Sequence, residues 1–385
     1  MYIEQNISRL KYLLELYSLT VEELSEKISK GLKNPITQKE LFSKKIKLSH
    51  LKKVDSFFNK GLHFYLDPKA PEKSKEASVF FRKENFNSKL NFGARKIVTE
   101  FEEFKISLSA ISKLADLKTD RILSIYNTKD NPKFVAEELR KILHPGYSSD
   151  LKEFLKSLIE KFAAFNILVF EFVETWNKKE KANIDGFFLN PNVIVLKRQQ
   201  KAFRREIFTL VHELGHFLLN EEEIDFLDYQ QISKNDFSKI EKWCNDFAYF
   251  FLAGDVANEL NKIQKADSTN DYHFETIEDI SKRTHLSQIA LFTRLLYEKK
   301  LSANDYSKIK TDLFEKYQEK LEKEKINQEL DTEKGIKQRG ATPQPIKSPL
   351  LISTIQTAFY EGVLNEYEVC KRLNIKPEKL EKYIS

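Results

Sequence analysis

The chain has 385 residues, more than one compact core holds, and 41% of them are hydrophobic, enough for two or three globular domains. Its 64 Lys and Arg against 58 Asp and Glu leave a formal net charge of +6, which permits an electrostatic share in nucleic-acid binding without demanding one. The two cysteines, Cys244 and Cys370, argue against a disulfide framework, and no stretch reaches the roughly 18 to 20 apolar residues of a membrane helix, so a cytoplasmic protein with no membrane partner is expected.

Residues 1–66 read as a bundle of short helices. Thr20-Val21-Glu22-Glu23 and Thr37-Gln38-Lys39-Glu40 are capping-box signatures, with Gly31 and Asn34-Pro35 marking a turn between the helices they open. Leu10, Leu13, Leu14, Leu24, Ile28, Leu41, Leu48, Leu51 and Val54 supply one small core. The arrangement resembles the helix-turn-helix domain of XRE-type repressors. Twelve Lys and Arg against seven Asp and Glu give this segment a surplus of five positive charges. Lys39, Lys44, Lys45 and Lys47 are its candidate DNA-binding residues, placed on a lysine-rich helix face, because phosphate contacts use such side chains.

Residues 67–150 form a helical connecting region. It opens on the linker Asp67-Pro68-Lys69-Ala70-Pro71, and helix signals follow at 90–104, 109–115 and 132–143. Residues 151–300 are the expected α+β core. Within it 151–165 is helical, and 167–173, 185–189 and 193–196 read as strands with Asn190-Pro191 as a turn. An edge strand of such a sheet can hold an extended peptide by main-chain hydrogen bonds, although the sequence does not say which strand is the edge.

The segment His212-Glu213-Leu214-Gly215-His216 carries the chemistry. Phe203, Ile207, Leu210, Val211, Leu214, Phe217 and Leu218 recur at helical spacing and form an apolar stripe, with His212 and His216 opposite it. One turn apart, both imidazoles can reach a single ion at about 2.0–2.1 Å, while Glu213, roughly 100° further round, lies beside the water instead of binding the ion. This is the zinc-peptidase arrangement. Gly215 implies a close approach, since a glycine inside a helix costs about 1 kcal/mol relative to alanine.

Catalytic zinc takes three protein ligands and keeps one position open, so a third ligand is needed downstream. Glu221, Glu222, Glu223, Asp225 and Glu241 are candidates. Glu241 stands at the edge of a second apolar stripe made by Ile240, Cys244, Phe247, Ala248, Phe251 and Leu252, and Asn245, one turn on, is placed to bond the outer nitrogen of a ligating histidine. However, Ser238-Lys239-Ile240-Glu241 also fits a capping box, and spacing alone leaves the two readings open.

Beyond this core, 277–299 continues as helix with a break near Thr284-His285-Leu286-Ser287. Residues 301–349 are a charged helix to about residue 330 and then a linker holding Gly335, Gly340, Pro343, Pro345 and Pro349. Residues 350–385 form a helical C-terminal segment too small to stand alone, expected to dock on the body or on a partner.

Phe208 through His216, followed by Glu241-Lys242-Trp243-Cys244-Asn245-Asp246-Phe247-Ala248, resembles the ImmA/IrrE metallopeptidase family. Ser78-Val79-Phe80-Phe81-Arg82 is similar to a segment upstream of the peptidase core in its longer members. The resemblance covers about 135–296 well and departs in two places: Cys244 stands where alanine is usual, and Leu252-Ala253-Gly254 replaces a proline. It implies a mostly helical α+β zincin-like fold with a small sheet, Zn²⁺ held by His212, His216 and Glu241, and Glu213 as catalytic base. It further implies site-specific cleavage of a protein substrate, an XRE-type repressor or antitoxin. The contrasting expectation is a DNA- or partner-binding regulator, acting through residues 1–66, in which zinc is structural. The donor to the tetrahedral oxyanion is left open among Tyr249, His273 and His285.

Overall fold

A computed structural model of the chain describes residues 1–17, 19–58, 60–71, 90–117, 120–173, 181–199, 202–222, 238–333 and 345–384. They fall into two compact units, Met1–Ile106 with Glu180–Asn183 and Ser107–Lys179 with Ile184–Ser385. Mostly helical with small sheets, the chain has the α+β class its patterning implies.

The first unit gathers the helices α1 (Ile7–Leu16), α2 (Val21–Ser29), α3 (Gln38–Leu41), α4 (Leu48–Phe58) and α5 (Leu62–Leu66). They close on Leu10, Leu13, Leu24, Leu41, Leu51 and Val54, all buried. Thr20 and Thr37 form the capping boxes their spacing predicts, each accepting from the backbone N–H three residues on. An all-helical reading of 1–66 misses one feature: β1 (Tyr2–Glu4) pairs antiparallel with β2 (Lys45–Lys47). Ile46 turns inward opposite Ile3 while Lys45 and Lys47 turn out, an alternation too short to stand out in sequence. The boundary between the units falls inside α6 (Phe92–Leu114), a continuous helix where two separate signals were read.

In the second unit α7 (Pro132–Leu143) and α8 (Leu151–Ala164) precede β3 (Leu168–Val173), β4 (Gly186–Leu189) and β5 (Val193–Arg198). The sheet order is β3-β5-β4, with β5 central, parallel to β3 and antiparallel to β4. Both faces of β5 are covered, which explains its unbroken Val-Ile-Val-Leu run. Val169, Phe188, Ile194 and Leu196 meet α9 (Phe203–Leu219) and α10 (Lys239–Ala253) in the main core. The α9 stretch from Glu206 to Leu219 is buried almost throughout, Phe208 alone being half-buried, so α9 is an internal helix. Around this core lie α11 (Ala257–Lys262), α12 (Phe274–Arg283) and α13 (Gln288–Tyr297), the last two separated at the expected break, and then α14 (Ala303–Glu333). Helix α14 reaches into the start of the expected linker, and residues 334–344 of that linker lie outside the described residues.

The C-terminal helices α15 (Pro349–Tyr360), α16 (Glu366–Leu373) and α17 (Glu381–Ile384) dock on this same unit, α15 against α8 and β3. A buried charge network underlies that docking. Arg198 pairs with Glu171 and, at 2.9 Å, with Glu206 in the first turn of α9. Glu171 also accepts a 2.8 Å hydrogen bond from the Lys347 backbone N–H.

Candidate metal centre

His212 and His216 project from one side of α9 with their Nε2 atoms 3.1 Å apart. The first turn of α10 brings Glu241 to them: one carboxylate oxygen lies 3.2 Å from His212 Nε2, the other 3.2 Å from His216 Nε2. All three are buried, and their ligand atoms all lie within 4.8 Å of one another. Donors at about 2.0–2.1 Å from a tetrahedral ion stand about 3.3 Å from each other, so this triangle of 3.1–3.2 Å sides is sized for one metal ion. Two imidazoles and a carboxylate form the donor set of a catalytic-type site that keeps one position open.

The capping and liganding readings of Glu241 fall on different ends of the residue. Its backbone N–H donates to Ser238 Oγ at 3.1 Å, capping α10, while its carboxylate turns toward the histidines. Of the other candidates, Glu222 accepts from the Asn190 backbone N–H at 2.6 Å and is thereby held away, and Glu223 and Asp225 lie outside the described residues.

The ring of His216 is oriented from behind. Its Nδ1 stands 3.2 Å from the Glu221 carbonyl, which can only accept, so Nδ1 carries the proton and the Nε2 lone pair faces the triangle. Asn220 makes this possible by taking a left-handed conformation, φ 55° and ψ 35°, at the end of α9, which folds the next residue back over the ring. Asn245 was expected in that role. It has no hydrogen bond to either imidazole among the described residues, and it lines a neighbouring cavity instead.

Burial opposes a charge on Glu241, but the imidazoles beside it outweigh that and hold its carboxyl below the usual range. Burial likewise disfavours an imidazolium at His216, and the Glu241 carboxylate reverses this, raising its pKa. The triad is thus a concentrated polar cluster in an apolar interior, a place where a cation is electrostatically welcome.

Two glycines set the spacing. A Cβ on Gly215 would meet Cys244 Sγ at 3.0 Å and Cys244 Cα at 3.1 Å, which is the close approach its mid-helix position implied. A Cβ on Gly186 would meet Thr209 Cγ2 at 2.7 Å, the Val195 carbonyl at 3.1 Å and Glu213 Cγ at 3.2 Å, so the absence of a side chain there lets β4 lie directly against the Glu213 side of α9. Strand β4 is an edge of its sheet among the described residues. Lys197 N–H donates to the Asp185 carbonyl at 2.8 Å, and by antiparallel alternation the N–H and C=O groups of Gly186 and Phe188 point away from β5.

Two of the possible oxyanion donors are engaged elsewhere. His285 stacks on Phe154 with ring centres 3.4 Å apart and donates from Nε2 to the Ser148 carbonyl, and His273 Nε2 faces the Lys265 carbonyl at 3.1 Å. Tyr249 sits two turns along α10 from Glu241, about 12 Å of rise. In the first unit Lys39, Lys44, Lys45 and Lys47 are all exposed. Lys45 and Lys47 stand on β2, not on a helix face, because Ile46 between them is the residue that enters the core. Ser78–Arg82 lies outside the described residues.

The backbone carbonyl behind His216 and the buried Arg198–Glu206 pair were not found from sequence. A carbonyl has no residue signature, and a glycine opening a strand, as Gly186 does, was the available sign of a close approach at β4.

A fold of this class, with two imidazoles and a carboxylate converging beside a further glutamate, defines a candidate metal-dependent hydrolase. Residues 162–257 match the family model of the IrrE N-terminal-like domain, a span that contains the sheet, α9 and α10. The match supports the ImmA/IrrE resemblance for this part of the chain and suggests a metallopeptidase of that type. No match to a curated protein or to a solved structure was found.

Proposed function

We propose that the chain is a zinc-dependent endopeptidase of the cytoplasm that cuts a DNA-binding repressor or antitoxin at a defined site. The observation that carries this reading is the convergence of His212, His216 and Glu241 with Glu213 alongside, on the one part of the chain that matches a peptidase family. Zinc, when bound by these three residues, supplies Lewis acidity to a water and to the scissile carbonyl. Glu213 takes the proton of the attacking water and passes it to the leaving amine. The Glu221 carbonyl keeps His216 in the tautomer that offers Nε2. The outward backbone groups of Gly186 and Phe188 hold the substrate as an added strand, which favours an unfolded or extended segment over a compact surface.

The test is Glu213→Gln, assayed for bound metal and for cleavage of candidate repressor or antitoxin chains. Metal retained with cleavage abolished is the expected pair of results; undiminished cleavage rules the mechanism out.

A second reading, a DNA- or partner-binding regulator in which the metal is structural, is favoured by the exposure of Lys39, Lys44, Lys45 and Lys47. A gel shift lost in a Lys44→Ala/Lys45→Ala variant, with the phenotype indifferent to Glu213→Gln, selects it.

A further inference from the structure

Next to the triad, α9, α10 and α13 leave a cavity of about 190 Å³. Phe208 and Thr209 line it from α9, one turn before His212, and Asn245 lines it from α10, one turn after Glu241. Ile289 and Ala290 close it from α13. Thr209 also touches the place where β4 crosses α9, since the same Cβ on Gly186 that would strike it at 2.7 Å would reach Glu213 Cγ at 3.2 Å. Cavity, general base and edge strand therefore share one stretch of wall.

Four cations stand in that wall; three have their heads taken, and the fourth, Lys242, is exposed to solvent over the Tyr297 ring, 5.4 Å from its centre. Arg204 donates to Ser281 Oγ at 2.7 Å and to the Leu286 carbonyl at 2.6 Å. Arg205 pairs with Asp185, and Arg294 pairs with Asp246 and, at 2.7 Å, with Glu298. What these residues offer the cavity is the apolar stem behind each matched charge. A charged side chain entering it would give up hydration, and the one cation whose head is not taken, Lys242, is itself solvent-exposed. A dry apolar cavity of about 150 Å³ accepts benzene. The space here suits one leucine or phenylalanine side chain.

We propose that this cavity receives a bulky apolar side chain, leucine or phenylalanine, of the substrate residue next to the scissile bond, an inference that rests on the peptidase reading. The peptide backbone lies along β4, and the side chain turns in between α9 and α13.

The experiment uses the full chain carrying Glu213→Gln, loaded with zinc, and fluorescent peptides identical except for Leu, Phe, Ala, Asp or Lys at the central position. Burying a leucine- or phenylalanine-sized side chain is worth about tenfold or more in affinity, so the Leu and Phe peptides should bind at least that much tighter than the Ala, Asp and Lys peptides. Ala290→Trp should bring Leu and Phe down to the Ala level, and the smaller fill Ala290→Leu should weaken them part of the way, each variant being checked for an unchanged thermal midpoint. Equal affinities, no binding by any peptide, or a preference that survives both fills in folded protein overturns the proposal. Offering the same peptides to the wild-type chain separates the two ideas. Cutting without preference for Leu or Phe sinks the cavity and spares the peptidase, whereas selective binding with no cutting does the reverse to the peptidase and leaves the cavity standing.

Discussion

Gly215 and Cys244 are in backbone-level contact: a methyl group at 215 would stand 3.1 Å from the Cys244 Cα and 3.0 Å from its Sγ. The contact lies one residue before His216 and three after Glu241, so the distance between two candidate ligands is set by a hydrogen atom. Gly215→Ala should therefore destabilise the fold by about 1–3 kcal/mol, as overpacking does, despite the better helix propensity of alanine, and should lower metal content as well. Adding Cys244→Ala removes Sγ but not Cα and should restore little. Thermal unfolding and metal analysis of the three variants check this.

Gly186→Ala is expected to act on turnover and not on metal. Its new methyl would press on Thr209 and on Glu213 Cγ, the latter 3.2 Å away, shifting the proposed general base while His212, His216 and Glu241 keep their positions. Displacing a base by a fraction of an ångström costs roughly tenfold or more. The expected result is a fall in kcat at undiminished zinc stoichiometry, and equal kcat for the two proteins would remove Gly186 from the site.

Ligand identity separates two glutamates close in sequence to α9 and α10. Glu241→Ala should lose the metal, because two imidazoles alone leave the triangle open. Glu222→Ala should keep it, since that side chain accepts from the Asn190 N–H at 2.6 Å and stands outside the cluster of ligand atoms. Retention of metal by Glu241→Ala would return Glu241 to a helix-capping role.

Two histidines outside the triad, His285 buried and His144 half-buried, should make the protein acid-sensitive. Burial depresses His144 to about 3 and His285 to about 4, against 6.5 when exposed. Above pH 6.5 both are neutral in either state. As the pH falls below that, the unfolded chain takes up protons that the folded chain refuses, and stability drops until the folded values near pH 3–4 are reached. The loss is about 1–2 kcal/mol per histidine at pH 5. In His144→Leu the slope of the thermal midpoint between pH 6.5 and 5 should be shallower than in the wild type; an identical slope would contradict the burial argument.

The site was legible where chemistry has a spacing. His212 and His216 fall one turn apart on a periodic apolar run with Glu213 beside the first, and Gly215 advertised a close approach before Cys244 could be seen to make it. Glu241 was half legible: its capping and liganding readings use the same residue, and only three-dimensional convergence shows that backbone and side chain serve the two ends separately. The partner of His216 was not legible, because it is a main-chain oxygen delivered by a left-handed turn at Asn220. Asn245 was misassigned for a related reason. Helical phase placed it near the histidines but could not say that the cavity side of α10 would claim it. Strands β3 to β5 were found within a residue or two, whereas β1 and β2, three residues each, were too brief for alternation to register against surrounding helix.

The Lys347 N–H, seated on Glu171, makes the far end of the chain a structural support of the candidate metal centre: Glu171 grips Arg198, and Arg198 grips Glu206 where the histidine-bearing helix begins. Trimming the protein back to its family-matching stretch would strip a donor from a carboxylate sealed away from water, and the slack would run through a clamped arginine to the root of α9. A minimal catalytic fragment of this chain should accordingly include residues 345–384, although they lie more than a hundred positions beyond the histidines they help to brace.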